Sequence, residues 1–423
     1  MKPSDIVESE YARLFRDKPD SPDFWRLRAR KALQYQQKDA AIAALKTGIR
    51  HFPEDLTLIG DLANIYLLMR DVASARPLLE GLLRVGERRV EYVSDYARLL
   101  WLEGAYPQAL EHYEEAYTRN PDERKYALRL AQARASLGQV QQALSLLRSW
   151  LHKKPSAEMM ALLALCEFDV QGVESALNLI TDGKQREPSN PTVNYLYAVL
   201  LTLSGDSERA KISMTQAGQS DQPDAQWASF LYARGSRDIS FYGLNSTLLI
   251  SALALAPVTG LVAEFGVYHG LSLNQIAQQV AGPVHGFDSF EGLPEDWKAS
   301  EPAGSYSTHG RLPQVPPYVV LHPGWFADTL PAFVAQQTEK ARFIHIDCDL
   351  YSSTRTVLEG LYPLLQAGTV LVFDEYLGFP GYEQHEFRAW REFSRQRQIE
   401  YQYFGCTLMA KAVALRVTDM GRV

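Results

Sequence analysis

Six alanines, Ala41, Ala75, Ala109, Ala143, Ala176 and Ala210, recur along the chain at intervals of 34, 34, 34, 33 and 34 residues, each within a similar helical pattern. A period of this length marks a stacked array of helix-turn-helix pairs. One pair cannot bury its own apolar face and must lean on its neighbours. Prolines stand twelve residues after four of these alanines, at Pro53, Pro121, Pro155 and Pro188. A proline there ends a helix, because it lacks the N–H and clashes with the preceding turn. Trp25, Leu62, Ala63, Tyr66, Ala97, Ala116, Ala131 and Ala198 take the large and small positions of the pairs. Small residues let two helices approach, and large ones fill the space between neighbouring pairs. Arg26, Arg28 and Arg30 read as a solvated face.

The period stops near Ala217. The polar stretch GQSDQPDAQ and a short helix-like segment, WASFLYARG, mark a join at residues 218–240. Beyond it, short apolar runs alternate with helical stretches: LVAEFGV, VHGFDSF, YVVLHPG, RFIHIDCD and TVLVFDE. This alternation predicts parallel strands with crossover helices, a doubly wound, Rossmann-like α/β sheet. IEYQYFG and TLMAKAVALRV supply one or two last strands, as in a hairpin. The expected organisation is an α-solenoid over 1–217, a linker or connecting helix over 218–240, and an α/β domain over 241–423.

With 423 residues the chain is long for one core. Its net charge of −7 disfavours a nucleic-acid partner. Three widely spaced cysteines, Cys166, Cys348 and Cys406, form no CxxC pair. They exclude a disulfide framework and a zinc ribbon and suit a reducing compartment. The first twenty residues are charged and have no apolar h-region, so a cytoplasmic location is expected. Leu248–Ala263 approaches the length of a membrane span, but Pro257 and Gly260 interrupt it. It reads as a buried helix, a turn and a buried strand, with no membrane span.

In a doubly wound sheet, ligands sit past the C-terminal ends of the strands. After the first run, EFGVYHGLS gives a strand, a glycine turn and a helix, with Gly266 and Gly270 letting backbone amides approach an anionic group. The spacing is G-x-x-x-G, not the dinucleotide G-x-G-x-x-G. Asp288 ends the next run, 22 residues beyond Gly266, where a carboxylate can accept from both hydroxyls of a ribose. A glycine turn and a ribose acid without a pyrophosphate clamp suit S-adenosylmethionine better than a dinucleotide. Asp347 and Asp349 end the fourth run and Asp374 and Glu375 the fifth. Converging carboxylates repel and raise one another's pKa. A hard divalent cation relieves this, and an oxygen-only set favours Mg²⁺ over Zn²⁺. The alternative is helix N-capping by Asp347, Asp349 or Ser352 with Glu375 solvated. His345 within an apolar strand reads as a satisfied core residue, and Cys348 as core packing.

The first half resembles the tetratricopeptide repeat family over roughly Pro22 to Ala217, which implies a groove for a protein partner. EFGVYHGLS, FDSFEGLPEDW, GWFADTLP, HIDCDLYSST and VFDEYLGFPG resemble, in order, the macrocin O-methyltransferase (TylF-like) family. That resemblance implies a class I methyltransferase fold, S-adenosylmethionine and Mg²⁺ as cofactors, and methylation of a sugar hydroxyl on a small-molecule or glycan acceptor. It places Glu264, Gly266, Tyr268, Gly270, Ser272, Asp288 and Ser289 at the cofactor. Trp325 is an apolar surface suited to line the adenine pocket, with ordinary packing as the alternative. The resemblance gives the metal to Asp347, Asp374 and Glu375, although the family has Asp where this chain has Glu375, and makes Asp347 or Asp349 the general base. The long stretch Glu291–Pro317 and the loop Tyr376–Tyr382 are expected to form the acceptor site, through Tyr306, Tyr376 and Tyr382. Two other readings stay open: an adaptor whose sheet domain has lost catalysis, and a catechol or phenol acceptor. The repeats are equally compatible with a homo-oligomer.

Overall fold

A computed structural model describes residues 21–85, 88–153, 155–217, 239–409 and 411–421. The N-terminal twenty residues and most of the expected linker, including WASFLYARG, lie outside the described residues. The chain divides into two compact units, Met1–Leu130 and Ala131–Val423.

The repeats form helix pairs at the expected spacing. They are α1 (Pro22–Gln34) with α2 (Lys38–His51), α3 (Leu56–Leu68) with α4 (Val72–Val85), and α5 (Val90–Leu102) with α6 (Tyr106–Arg119). Then follow α7 (Arg124–Ser136) with α8 (Val140–Ser149), α9 (Ala157–Gln171) with α10 (Val173–Arg186), and α11 (Pro191–Leu203) with α12 (Ser207–Gln216). Every periodic alanine lies on the second helix of its pair and is buried. Several first helices start at side-chain caps: Asp55 accepts from the amides of Thr57 and Leu58, and Asn190 from that of Val193. In the first unit Ala41, Leu45, Leu58, Ala63, Ala75 and Leu79 share one core. Arg26, expected on a solvated face, instead donates to Asp61 of α3 at 2.8 Å. Arg129 meets Asp95 at the same distance, so charged side chains one repeat apart bridge adjacent pairs.

The second unit carries an eight-stranded sheet. Its elements in chain order are β1 (Ser240–Tyr242), α13 (Asn245–Ala254), β2 (Leu261–Phe265), α14 (Leu271–Gln278), β3 (Val284–Asp288), β4 (Val319–Pro323) and α15 (Phe326–Gln336). They continue with β5 (Ala341–Ile346), α16 (Tyr351–Leu361), β6 (Val370–Phe373), α17 (Glu386–Gln396), β7 (Glu400–Thr407) and β8 (Val413–Asp419). The strand order is β1-β7-β8-β6-β5-β2-β3-β4. β6, β5, β2, β3 and β4 are parallel neighbours, while β8 runs antiparallel to both β6 and β7. The five expected strands and the terminal hairpin are present, and β1 is an addition. Leu248–Ala263 is a helix, a turn and a strand, as its proline and glycine require. Among the described residues no helix is long and apolar enough to cross a membrane. The three cysteines are free and buried.

Side chains alternate across the sheet. Along β6, Leu371 and Phe373 face one apolar cluster and Val370 and Val372 the other. The second cluster is closed by Leu248 and Ala252 of α13 and Leu273 and Ile276 of α14. The first runs without a break from Ala164, Ile180 and Leu196 of the late repeats to Phe265, Ile344 and Trp390 of the sheet domain. Between β2 and β5 the chain reverses its direction of travel across the sheet. Such a switch point opens a crevice past the C-terminal strand ends.

Candidate active site

A cavity of about 250 Å³ lies past the C-terminal ends of β2, β3, β5 and β6, at that switch point. Its floor depends on Gly266. This residue sits at φ +91°, and a Cβ there would stand 1.8 Å from the carbonyl oxygen of Asp347. Only glycine lets the loops after β2 and β5 touch in this way. Asp347 completes the contact by donating its N–H to Phe265 O at 2.8 Å.

Asp288 borders the cavity. Its Oδ2 accepts from the amides of Val267 and Tyr268 at 2.8 and 2.7 Å, and its Oδ1 from that of Phe290 at 2.7 Å. A carboxylate offers about four acceptor positions, so Asp288 braces the loop after β2 and keeps room for one further donor, not two. Gly266, Tyr268, Asp288, Ser289 and Trp325 all border the cavity. Trp325 is 39% exposed and Phe326 stands beside it.

Glu264, Gly270 and Ser272 are not among the residues lining the cavity. Glu264 is fully buried, accepts from Ser272 Oγ at 3.0 Å and meets His345 Nδ1 at 3.1 Å. His345 is thus the satisfied core residue its apolar strand suggested. Burial pushes Glu264 up, whereas Glu264 lifts His345 against the effect of burial. Gly270 is the left-handed residue that starts α14.

Part of the lining is acidic. Asp347, Asp349, Asp374 and Glu375 all border the cavity. Burial first, then Asp374 and Asp349, push Asp347 well above the ordinary carboxylate range. Burial, Glu375 and Asp374 push Asp349 up to about 7. Asn245 Nδ2 donates to Asp374 Oδ1 at 3.2 Å. Glu375 faces Lys411, whose Nζ lies 2.8 Å from one of its oxygens. Burial still raises Glu375, against the pull of that lysine. Among the described residues no three His, Cys, Asp or Glu side chains stand in a metal-ligating arrangement. Cys348 is buried, with Sγ 3.6 Å from Thr354 Oγ1, although it also borders the cavity because β5 ends before it.

One residue behind this wall had no place in the sequence reading. Glu386, the first residue of α17, is fully buried. Its Oε1 accepts from the amide of Asp349 at 3.2 Å and its Oε2 from that of Glu375 at 3.1 Å. One carboxyl group therefore ties the loop after β5 to the loop after β6. Burial and Asp349 push its pKa well up. The signal was its register: Glu386 shares the stripe of Trp390 and Phe393, four and seven residues on.

The two long loops meet, though not through all the expected tyrosines. Trp297, Leu350 and Phe379 form a small apolar cluster with Leu293 and Tyr382 packed against it. Tyr306 borders the cavity, edge-on to Tyr268 at 5.8 Å. Tyr376 is fully buried with its hydroxyl 2.6 Å from that of Tyr403, so it cannot face an acceptor. Tyr382 packs edge-on to Phe379 and Phe387 and is not among the lining residues.

Comparison with known proteins assigns both halves. Residues 61–124 and 100–166 match models of the tetratricopeptide repeat, and residues 263–376 match the model of a methyltransferase domain. The chain joins tetratricopeptide repeats to a methyltransferase domain. Two curated O-methyltransferases resemble that domain. The 8-demethyl-8-(2,3-dimethoxy-alpha-L-rhamnosyl)-tetracenomycin-C 4'-O-methyltransferase of Streptomyces olivaceus is 32% identical over 145 residues, 28% of this chain and 54% of that protein. The demethyldecarbamoylnovobiocin O-methyltransferase of Streptomyces niveus is 38% identical over 58 residues, 14% of this chain and 21% of that protein. The chain thus spans about half or less of the relatives it matches. Among solved structures, the O-methyltransferase NovP aligns over 40% of this chain and 78% of its own, at 23% identity and a TM-score of 0.30. A thermophilic TPR protein of Thermus thermophilus aligns over 43% of this chain and 100% of its own, at 18% identity and a TM-score of 0.39.

Proposed function

We infer that this protein is an O-methyltransferase that takes its methyl group from S-adenosylmethionine and delivers it to a sugar hydroxyl of a glycoside. The observation that carries this reading is the convergence in one cavity of a glycine turn, Asp288 and an indole with Asp347 and Asp349. Both curated relatives are named as O-methyltransferases, the first of a rhamnosyl-bearing compound, which supports this reading.

In this reading Asp288 accepts from one ribose hydroxyl and Trp325 lies against the adenine. A sugar hydroxyl is a weak nucleophile, so the protein's task is to orient it and remove its proton. Asp349, which borders the cavity beside Asp347 and whose pKa burial raises, takes that proton. The acceptor oxygen bonds to the methyl carbon, the carbon–sulfur bond breaks with its electron pair passing to sulfur, and the hydroxyl proton goes to Asp349. S-adenosylhomocysteine leaves uncharged at sulfur.

Asp347 and Asp374 suit Mg²⁺ by chemistry, being oxygen donors of which one raises the pKa of the other. Glu375 would join them only by leaving Lys411. Such a cation, when bound, would lower the pKa of the acceptor hydroxyl and fix its direction. The repeats provide a docking surface for a protein partner.

Methyl transfer from labelled S-adenosylmethionine to rhamnosides and to catechols, with Mg²⁺ or with chelator, tests this reading. Labelled glycoside that disappears on chelation is the expected result. Labelled catechol alone would replace the sugar acceptor by an aromatic diol, and transfer unchanged by chelator would remove the metal.

A further inference from the structure

Asp169 lies in the last turn of α9, a repeat helix, yet its bonds belong to the sheet domain. Its Oδ1 accepts from the amide of Gly243 at 2.6 Å and its Oδ2 from that of Leu244 at 3.2 Å. These amides belong to the two residues that lead into α13, whose N-cap, Leu244, makes no side-chain capping bond. The approach is close: a Cβ on Gly243 would stand 2.0 Å from Leu165 O of α9. Two further bonds hold the neighbourhood. Ser246 Oγ donates to Ala135 O at 3.1 Å and Gln275 Nε2 to Ser136 O at 2.5 Å, both at the end of α7.

The residue after Leu244 is Asn245, which donates to Asp374 in the acidic wall. A repeat side chain, two backbone amides and one amide side chain thus connect α9 to a carboxylate of the cavity. Resting on the methyl-transfer reading, we propose that Asp169 and Asn245 are positioning residues, and that through them the late repeats hold Asp374 in its working orientation. The late repeats are then part of the catalytic unit and not a tether. A protein that shifted α9 on binding would change turnover without touching the cavity. The carboxylate of Asp374 can rotate about its own axis, and a hydrogen bond to one oxygen removes that freedom.

The test compares the full chain with Asn245→Ala, Asp169→Asn and the double variant, by hydrogen exchange and by steady-state kinetics. Asn245→Ala should leave Tm, the protection of residues 243–247 and the KM for S-adenosylmethionine unchanged. It should raise amide exchange over residues 374–376 and lower kcat about tenfold, as for a lost hydrogen bond to a charged group. Asp169→Asn should lower Tm, raise exchange over both segments and lower kcat. The double variant should turn over no more slowly than Asn245→Ala alone, because both act through one bond. Multiplying effects on kcat, or unchanged exchange over residues 374–376 in both single variants, would overturn the proposal. A wild-type protein that transfers no methyl group would sink the methyl-transfer reading instead, and the exchange data would still decide whether α9 is coupled to Asp374.

Discussion

Asp349 sits at φ +61°, a left-handed backbone conformation that costs a non-glycine residue of the order of 1–3 kcal/mol. The bond from its amide to Glu386 is part of what holds it there. Glu386→Gln keeps one acceptor but sets an NH₂ against the second backbone donor. The expected outcome is about tenfold lower kcat/KM for the acceptor, at an unchanged Kd for S-adenosylhomocysteine. Loss of cofactor binding as well would reduce Glu386 to a support of the fold. Much at this scale was legible in the sequence. Residue types and strand-end positions marked Gly266, Asp288, Asp347, Asp349 and Asp374, all of which border one cavity. What these residues do for one another was not. Asp288 is occupied by three backbone amides and Glu264 by His345 and Ser272, and such engagements depend on loop geometry that no local pattern encodes.

Elements with a clear period were the most readable. The alanine repeat placed six helix pairs, and the apolar runs placed β2 to β6 with a terminal hairpin. β1 was missed because three residues, Ser240–Tyr242, are too short to show a period of two. Strand pairing also creates a feature no pattern announced. His285 on β3 and His322 on β4 stand side by side, with Nδ1 and Nε2 3.0 Å apart. Burial, reinforced by His322, lowers His285 to about 4. A histidine held neutral in the folded state and free to protonate in the unfolded one adds stability that is present above about pH 6.5 and lost as pH falls towards 4. The Tm of the wild type should therefore decline more steeply across that window than the Tm of His285→Gln. Parallel curves would show that the pair is not strained by protonation.

For the whole molecule, the period reads to Ala217 but compactness divides the chain at Leu130. The sequence pattern records how each segment folds, and packing records which segments share a core. Here the late repeats share theirs with the sheet. In the proposed reaction the cavity past β2 and β5 receives S-adenosylmethionine. Calorimetric titration of the full chain with S-adenosylhomocysteine tests it most directly, with Trp325→Ala as the comparison, since this partly exposed cavity wall can be truncated without disturbing the core. One equivalent bound by the wild type, and affinity about tenfold weaker in Trp325→Ala, is the predicted result. No binding by the wild type, or equal binding by both proteins, would contradict the assignment of the cavity.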